Sequence, residues 1–127
     1  MRTLVVCVAV CFVLVYTKAA LAAGCSHPKS AEILRELGSN ASIVRALDLL
    51  KKHKMSFMIL YRSDARSGER ATTPEKLSSL AYHSLTLSVQ SHFPGGFIVS
   101  SDEFLSLKFS SRGIMTGSSC RRVYTGP

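Results

Sequence analysis

"PEKLSSLAYHSLTLSVQSH", Pro74 to His92, carries two periodicities at once. Leu77, Ala81, Leu85 and Val89 recur at every fourth residue, which suits one face of a helix. Leu85, Leu87 and Val89 also alternate with Thr86, Ser88 and Gln90, which suits a strand with one buried face. Ahead of them, Thr73, Pro74 and Glu75 supply an N-cap, a first-turn proline and an early acid. That start signal and the length of the stretch predict a helix over 74–92, ended by Phe93-Pro94-Gly95-Gly96. The choice decides whether the middle of the chain joins a helical layer or a sheet.

Upstream, "SAEILREL" (Ser30–Leu37) places Ile33, Leu34 and Leu37 on one face before Gly38, which predicts a short helix. "ASIVRALDLLKKHK" repeats Ile43, Val44, Leu47 and Leu50 at helical spacing, and Lys51, Lys52 and Lys54 complement the negative end of that helix. "MSFMILYR" (Met55–Arg62) is too short and apolar for a separate helix and reads as a strand buried on both faces. "SDARSGERATTP" reads as a loop. Downstream, Phe97-Ile98-Val99 and the alternation of Leu105, Leu107 and Phe109 with Ser106, Lys108 and Ser110 predict β-structure, with turns at Ser101-Asp102-Glu103 and Gly113 before Ile114-Met115-Thr116. The expected fold is α+β: a small single domain with two N-terminal helices, a buried strand, a further helix and a C-terminal antiparallel meander.

The first residues read as a secretory leader. Leu4 to Tyr16 is thirteen apolar or aromatic residues after a single positive charge at Arg2. A helix of that length spans roughly 20 Å against a hydrocarbon core of about 30 Å. Ala20-Leu21-Ala22 then offers the small-x-small form that signal peptidase accepts, giving a signal peptide over 1–22, with cleavage after Ala23 as the next choice and an uncleaved signal anchor as the alternative. The domain is then 23–127, delivered to the extracellular space. Cys7 and Cys11 leave with the leader, and Cys25 and Cys120 remain and are expected to pair in an oxidising compartment. An intermolecular bridge or a free thiol is the alternative. Asn40-Ala41-Ser42 is an N-glycosylation sequon, and Ser39 or Asn40 also reads as a cap for the next helix.

Charge is the strongest functional signal. Arg2 and Lys18 leave with the leader, so fourteen of the sixteen Lys and Arg stand against eight Asp and Glu, a net +6. Lys51, Lys52 and Lys54, with Arg45 on a similar helix face, are the candidate binding residues for an anionic partner. The same lysines also serve as a solvated helix end. No aromatic interleaving or base-reading motif accompanies them, so sequence-specific nucleic-acid binding is not expected. His27, His53, His83 and His92 show no metal-ligand spacing, and no metal is expected. There is no phosphate-binding loop or dinucleotide fingerprint, so no cofactor is expected, and no nucleophile elbow.

These features favour a secreted basic interaction protein, cytokine-like or effector-like, that binds a protein receptor or an anionic surface such as sulfated glycans, with no membrane span after cleavage. One alternative is a small secreted hydrolase such as a ribonuclease, with His83 or His92 and Glu103 or Asp102 as acid and base and Arg112 stabilising an anionic transition state. Another is a precursor cut at the dibasic pairs Lys51-Lys52 and Arg121-Arg122.

Overall fold

The computed structural model describes residues 24–94 and 100–125. The expected leader (1–22) and the Phe97-Ile98-Val99 run lie outside the described residues. Two helices, α1 (Pro28–Leu37) and α2 (Ile43–Lys52), precede strand β1 (Ser56–Arg62), short strand β2 (Arg70–Thr72) and a four-residue helix α3 (Pro74–Leu77). Strands β3 (Ser84–Phe93), β4 (Ser100–Ser110) and β5 (Met115–Thr125) follow. The five strands form one antiparallel sheet in the order β2-β1-β3-β4-β5. The α+β class stands, with three helices, five strands and one disulfide among the described residues.

The Pro74–His92 stretch resolves in favour of alternation. The start signal is honoured, since Pro74 opens a helix, but that helix ends at Leu77. Residues two apart lie on nearly opposite sides of a helix, so a helix over 84–90 would expose one or more of Leu85, Leu87 and Val89. As a strand it buries all three at 0–1% exposure. β3 is moreover the central strand, paired with β1 through Ile59↔Leu87 and with β4 through Leu87↔Leu107. The expected long helix is thus corrected to a short turn of helix followed by the strand that joins the two halves of the sheet.

One face of the sheet carries Ile59, Leu85, Leu87, Val89, Leu105, Leu107 and Phe109, all buried in one core with Ile33 and Leu37 of α1 and Ile43, Ala46 and Leu50 of α2. The α2 stripe is rotated from its expected position, because Ala46 is fully buried while Val44 is 65% exposed. A small residue at the contact lets the helix sit close to the sheet. Strand β1 is buried on one face only: Ile59 is 1% exposed and its neighbour Met58 is 56% exposed. The two-faced burial read from its composition is therefore corrected, the second apolar face being open. The expected loop after β1 contains β2, and Asp64 organises the turn before it. That carboxyl accepts the backbone N–H of Arg66 (2.8 Å) and Ser67 (2.7 Å). Hydrogen bonds from the Ser67 side chain and from those amides hold it below the usual carboxylate range.

Two positions need glycine. Gly38 ends α1 at φ +66°. Gly113, at φ +74°, sits where an added Cβ would meet Ile43 Cγ2 at 3.0 Å. Its carbonyl accepts Ile43 N–H (2.8 Å), and Met115 N–H donates to Ala41 (2.8 Å), so the link between the helices is sewn to the β4–β5 turn. Asn40, exposed at φ +60°, lies in that link, but the cap of α2 is Ser42, whose hydroxyl accepts Arg45 N–H at 3.2 Å.

Cys25 and Cys120 form a disulfide across a sequence separation of 95, with 5.3 Å between Cα atoms. It ties the residues before α1 to the edge strand β5. Replacing both cysteines by alanine is expected to lower unfolding stability by about 2–5 kcal/mol, read as a reduced denaturant midpoint with a steeper slope, because the unlinked unfolded chain exposes more surface.

Candidate functional site

The segment entering α1 is held by a carboxylate from the sheet. Glu103 of β4 is 1% exposed and faces the helices. Its Oε2 accepts Ser26 N–H (2.8 Å) and its Oε1 accepts His27 N–H (3.1 Å). The first turn of α1 contains no acidic residue, so Glu103 supplies from β4 the negative charge that a helix N-terminus favours. Ser30 and Ser91 join their hydroxyls across the buried α1–β3 contact at 3.2 Å.

His27 is consequently fixed. Its Nδ1 accepts Lys29 N–H at 3.2 Å, making it the N-cap of α1. Its ring packs edge-on against Phe93, with centroids 4.9 Å apart. The guanidinium of Arg122 lies 4.0 Å over that same Phe93 ring, and its Nε donates to Ser101 Oγ at 2.9 Å. With Nδ1 accepting, the neutral imidazole of His27 carries its proton on Nε2 and offers a donor there.

Between the start of α1, the α2–β1 turn and the end of β3 lies a hollow of about 210 Å3, lined by His27, Lys29, Lys54, Ser56, Gln90 and His92 together with Met55 and Ser91. None of these is a carboxylate. Lys54 reaches it by an unusual route. Helix α2 ends in a Schellman arrangement, with Met55 N–H on Leu50 carbonyl (2.9 Å) and Lys54 N–H on Lys51 carbonyl (3.1 Å). The left-handed residue of that motif is ordinarily glycine, whereas here it is Lys54, at φ +54°. A side chain there costs about 1 kcal/mol relative to glycine.

His92 stands on the opposite face of β3 from Ser91. Its Nδ1 lies 2.7 Å from Asp102 Oδ1, and Gln90 Nε2 donates to Asp102 Oδ2 at 3.3 Å. Donation from Nδ1 to that carboxylate leaves Nε2 of neutral His92 as an acceptor. In their neutral forms the two histidines of the hollow present opposite tautomers.

The residues singled out from the sequence are divided by this geometry. Lys54 lines the hollow. Lys51 is exposed at the end of α2, Lys52 lies 3.7 Å from Glu36, and Arg45 donates to the Glu36 carbonyl at 2.8 Å. His92 and Glu103 are not brought together, because adjacent β4 residues alternate: Asp102 pairs with His92 on one face while Glu103 enters the core on the other. His83 is exposed before β3. The dibasic pairs both fall inside regular structure, Lys51-Lys52 in α2 and Arg121-Arg122 in β5. Glu32, Glu36 and His53 bring ligand-capable atoms within 4.8 Å of one another, and Lys52 offers the opposing charge there. Among the described residues no helix is long and apolar enough to cross a membrane. Sequence reasoning passed over Lys29 and gave His27 no role. The signal was His27-Pro28, a polar residue before a first-turn proline, which marks an N-cap. Family models, curated proteins and solved structures give no match to this chain.

Replacing Glu103 by alanine is expected to cost on the order of 1–3 kcal/mol for each amide left without its partner. Asp102→Asn, on the open face, is expected to stay within about 0.5 kcal/mol. Urea unfolding of the two variants checks the contrast.

Proposed function

We propose that this chain is a secreted, disulfide-clasped interaction domain that binds an anionic partner, in the manner of a small extracellular effector or ligand. The observation that carries the reading is the exposure of Lys51, Lys52 and Lys54 together at the end of α2, where Lys52 alone of the three lies in ion-pair range of a carboxylate, Glu36 at 3.7 Å, among the described residues. Such a surface raises the local concentration of sulfated glycans or acidic receptor segments by long-range attraction. The Cys25–Cys120 bridge accords with an oxidising compartment, and the exposed Asn40 of the sequon accords with a glycan there. Retention on heparin at low salt is expected for the wild type. Replacing Arg45, Lys51, Lys52 and Lys54 together by alanine is expected to move elution to markedly lower salt. Absence of retention, or an unchanged elution position, ends the anionic-surface reading.

A second reading, hydrolysis of RNA, has one observation in its favour: Asp102 orients His92 and leaves its Nε2 able to take a proton. It proceeds without Glu103, which is committed to Ser26 and His27. Purified protein that degrades RNA, and loses that activity in His92→Ala, supports it. An inert wild type removes it.

A further inference from the structure

We infer that the hollow between α1, the α2–β1 turn and β3 is the seat of a sulfate ester on a sugar. The inference deepens the anionic-partner reading and rests on it. Two lysines, Lys29 and Lys54, and the Nε2–H of His27 supply the donors that an oxyanion requires, and no carboxylate lines the space. At about 210 Å3 it is smaller than the roughly 300–1,000 Å3 of sites that enclose a whole drug-sized ligand, so it takes one terminal group of a larger molecule.

The remaining chemistry distinguishes a sulfated sugar from a bare anion. His92, turned by Asp102, lines the same hollow, and in its neutral form Nε2 is an acceptor. A bare sulfate ion has no proton to give it, whereas a sugar hydroxyl beside the ester does. A second hollow of about 160 Å3 adjoins the first through Ser56 and Gln90, and adds Met58 and Phe104 from the open face of the sheet. An aliphatic and an aromatic side chain beside a charged seat provide a surface for the apolar face of a sugar ring. Lys54 lines the hollow from a left-handed position, φ +54°, where glycine would relieve the backbone.

That position also supplies a test free of unfolding artefacts. Lys54→Gly is expected to raise or preserve the thermal midpoint while lowering affinity for a heparin-type sulfated disaccharide by about tenfold or more. Lys29→Gln is expected to lower it comparably. Lys51→Ala/Lys52→Ala, outside the hollow, is expected to change it less than about threefold. In the wild type the disaccharide is expected to bind more tightly than inorganic sulfate and to shift the NMR signals of the His27 and His92 rings. Unmoved ring signals, or a Lys54→Gly variant that binds like the wild type, overturn the assignment. So does tighter binding of the matching phosphorylated sugar, or of anionic phospholipid vesicles. Retention on heparin with an unchanged disaccharide affinity in Lys54→Gly and Lys29→Gln overturns the hollow and spares the surface reading. Disaccharide binding without heparin retention overturns the surface reading and spares the hollow.

Discussion

A buried carboxylate holds the two layers of this domain in register at one end. Glu103 spends both of its oxygens on consecutive amides, Ser26 and His27, and thereby sets where helix α1 begins. The disulfide from Cys25 to Cys120 fixes the residue immediately before them to the neighbouring strand. With that entry point set, His27 caps the helix, Ser30 meets Ser91, and Ile33 and Leu37 fall onto the sheet. A buried carboxylate is costly unless its hydrogen bonds are met, and here the amides just ahead of α1 supply them.

Much of this was legible in the residues. The helices at α1 and α2, the strand at β1, the alternation of Leu105, Leu107 and Phe109 and the Cys25–Cys120 pair could be read directly, because each rests on local spacing or on counting. The middle was misread because the helix start at Pro74 is local and realised, although the Thr73 side chain makes no capping bond, whereas the decision over Leu85, Leu87 and Val89 is tertiary. Those residues have strands on both sides, β1 and β4, and only alternation points all three into the core. β1 showed the opposite failure: a continuous apolar run implied two covered faces, and nothing local reveals that Met58 stays open.

The hollow was less legible, for a similar reason. Its residues come from three places far apart in sequence, and only Lys54 belonged to a visible cluster. The pairing of His92 with Asp102 rather than Glu103 follows from the period of two in β4, but it requires the β3–β4 register, His92↔Asp102, which no composition displays. Adjacent acids with opposite fates, one sunk among helices and one on the open face, show how completely register governs chemistry in a sheet.

The placement of Glu103 also constrains the order in which the molecule is made. Seventy-seven residues separate Ser26 from its partner, and ninety-five separate Cys25 from Cys120. A chain emerging amino end first therefore presents α1 long before β4 exists, and the amides of Ser26 and His27 and the thiol of Cys25 meet their partners only after most of the domain has been synthesised. The apolar face of α1, Ile33 and Leu37, shares the core with Ile43, Ala46 and Leu50 of the helix that follows directly. The clasp at the head of α1, from Glu103 and Cys120, is the part of its docking that waits for the carboxyl-terminal strands.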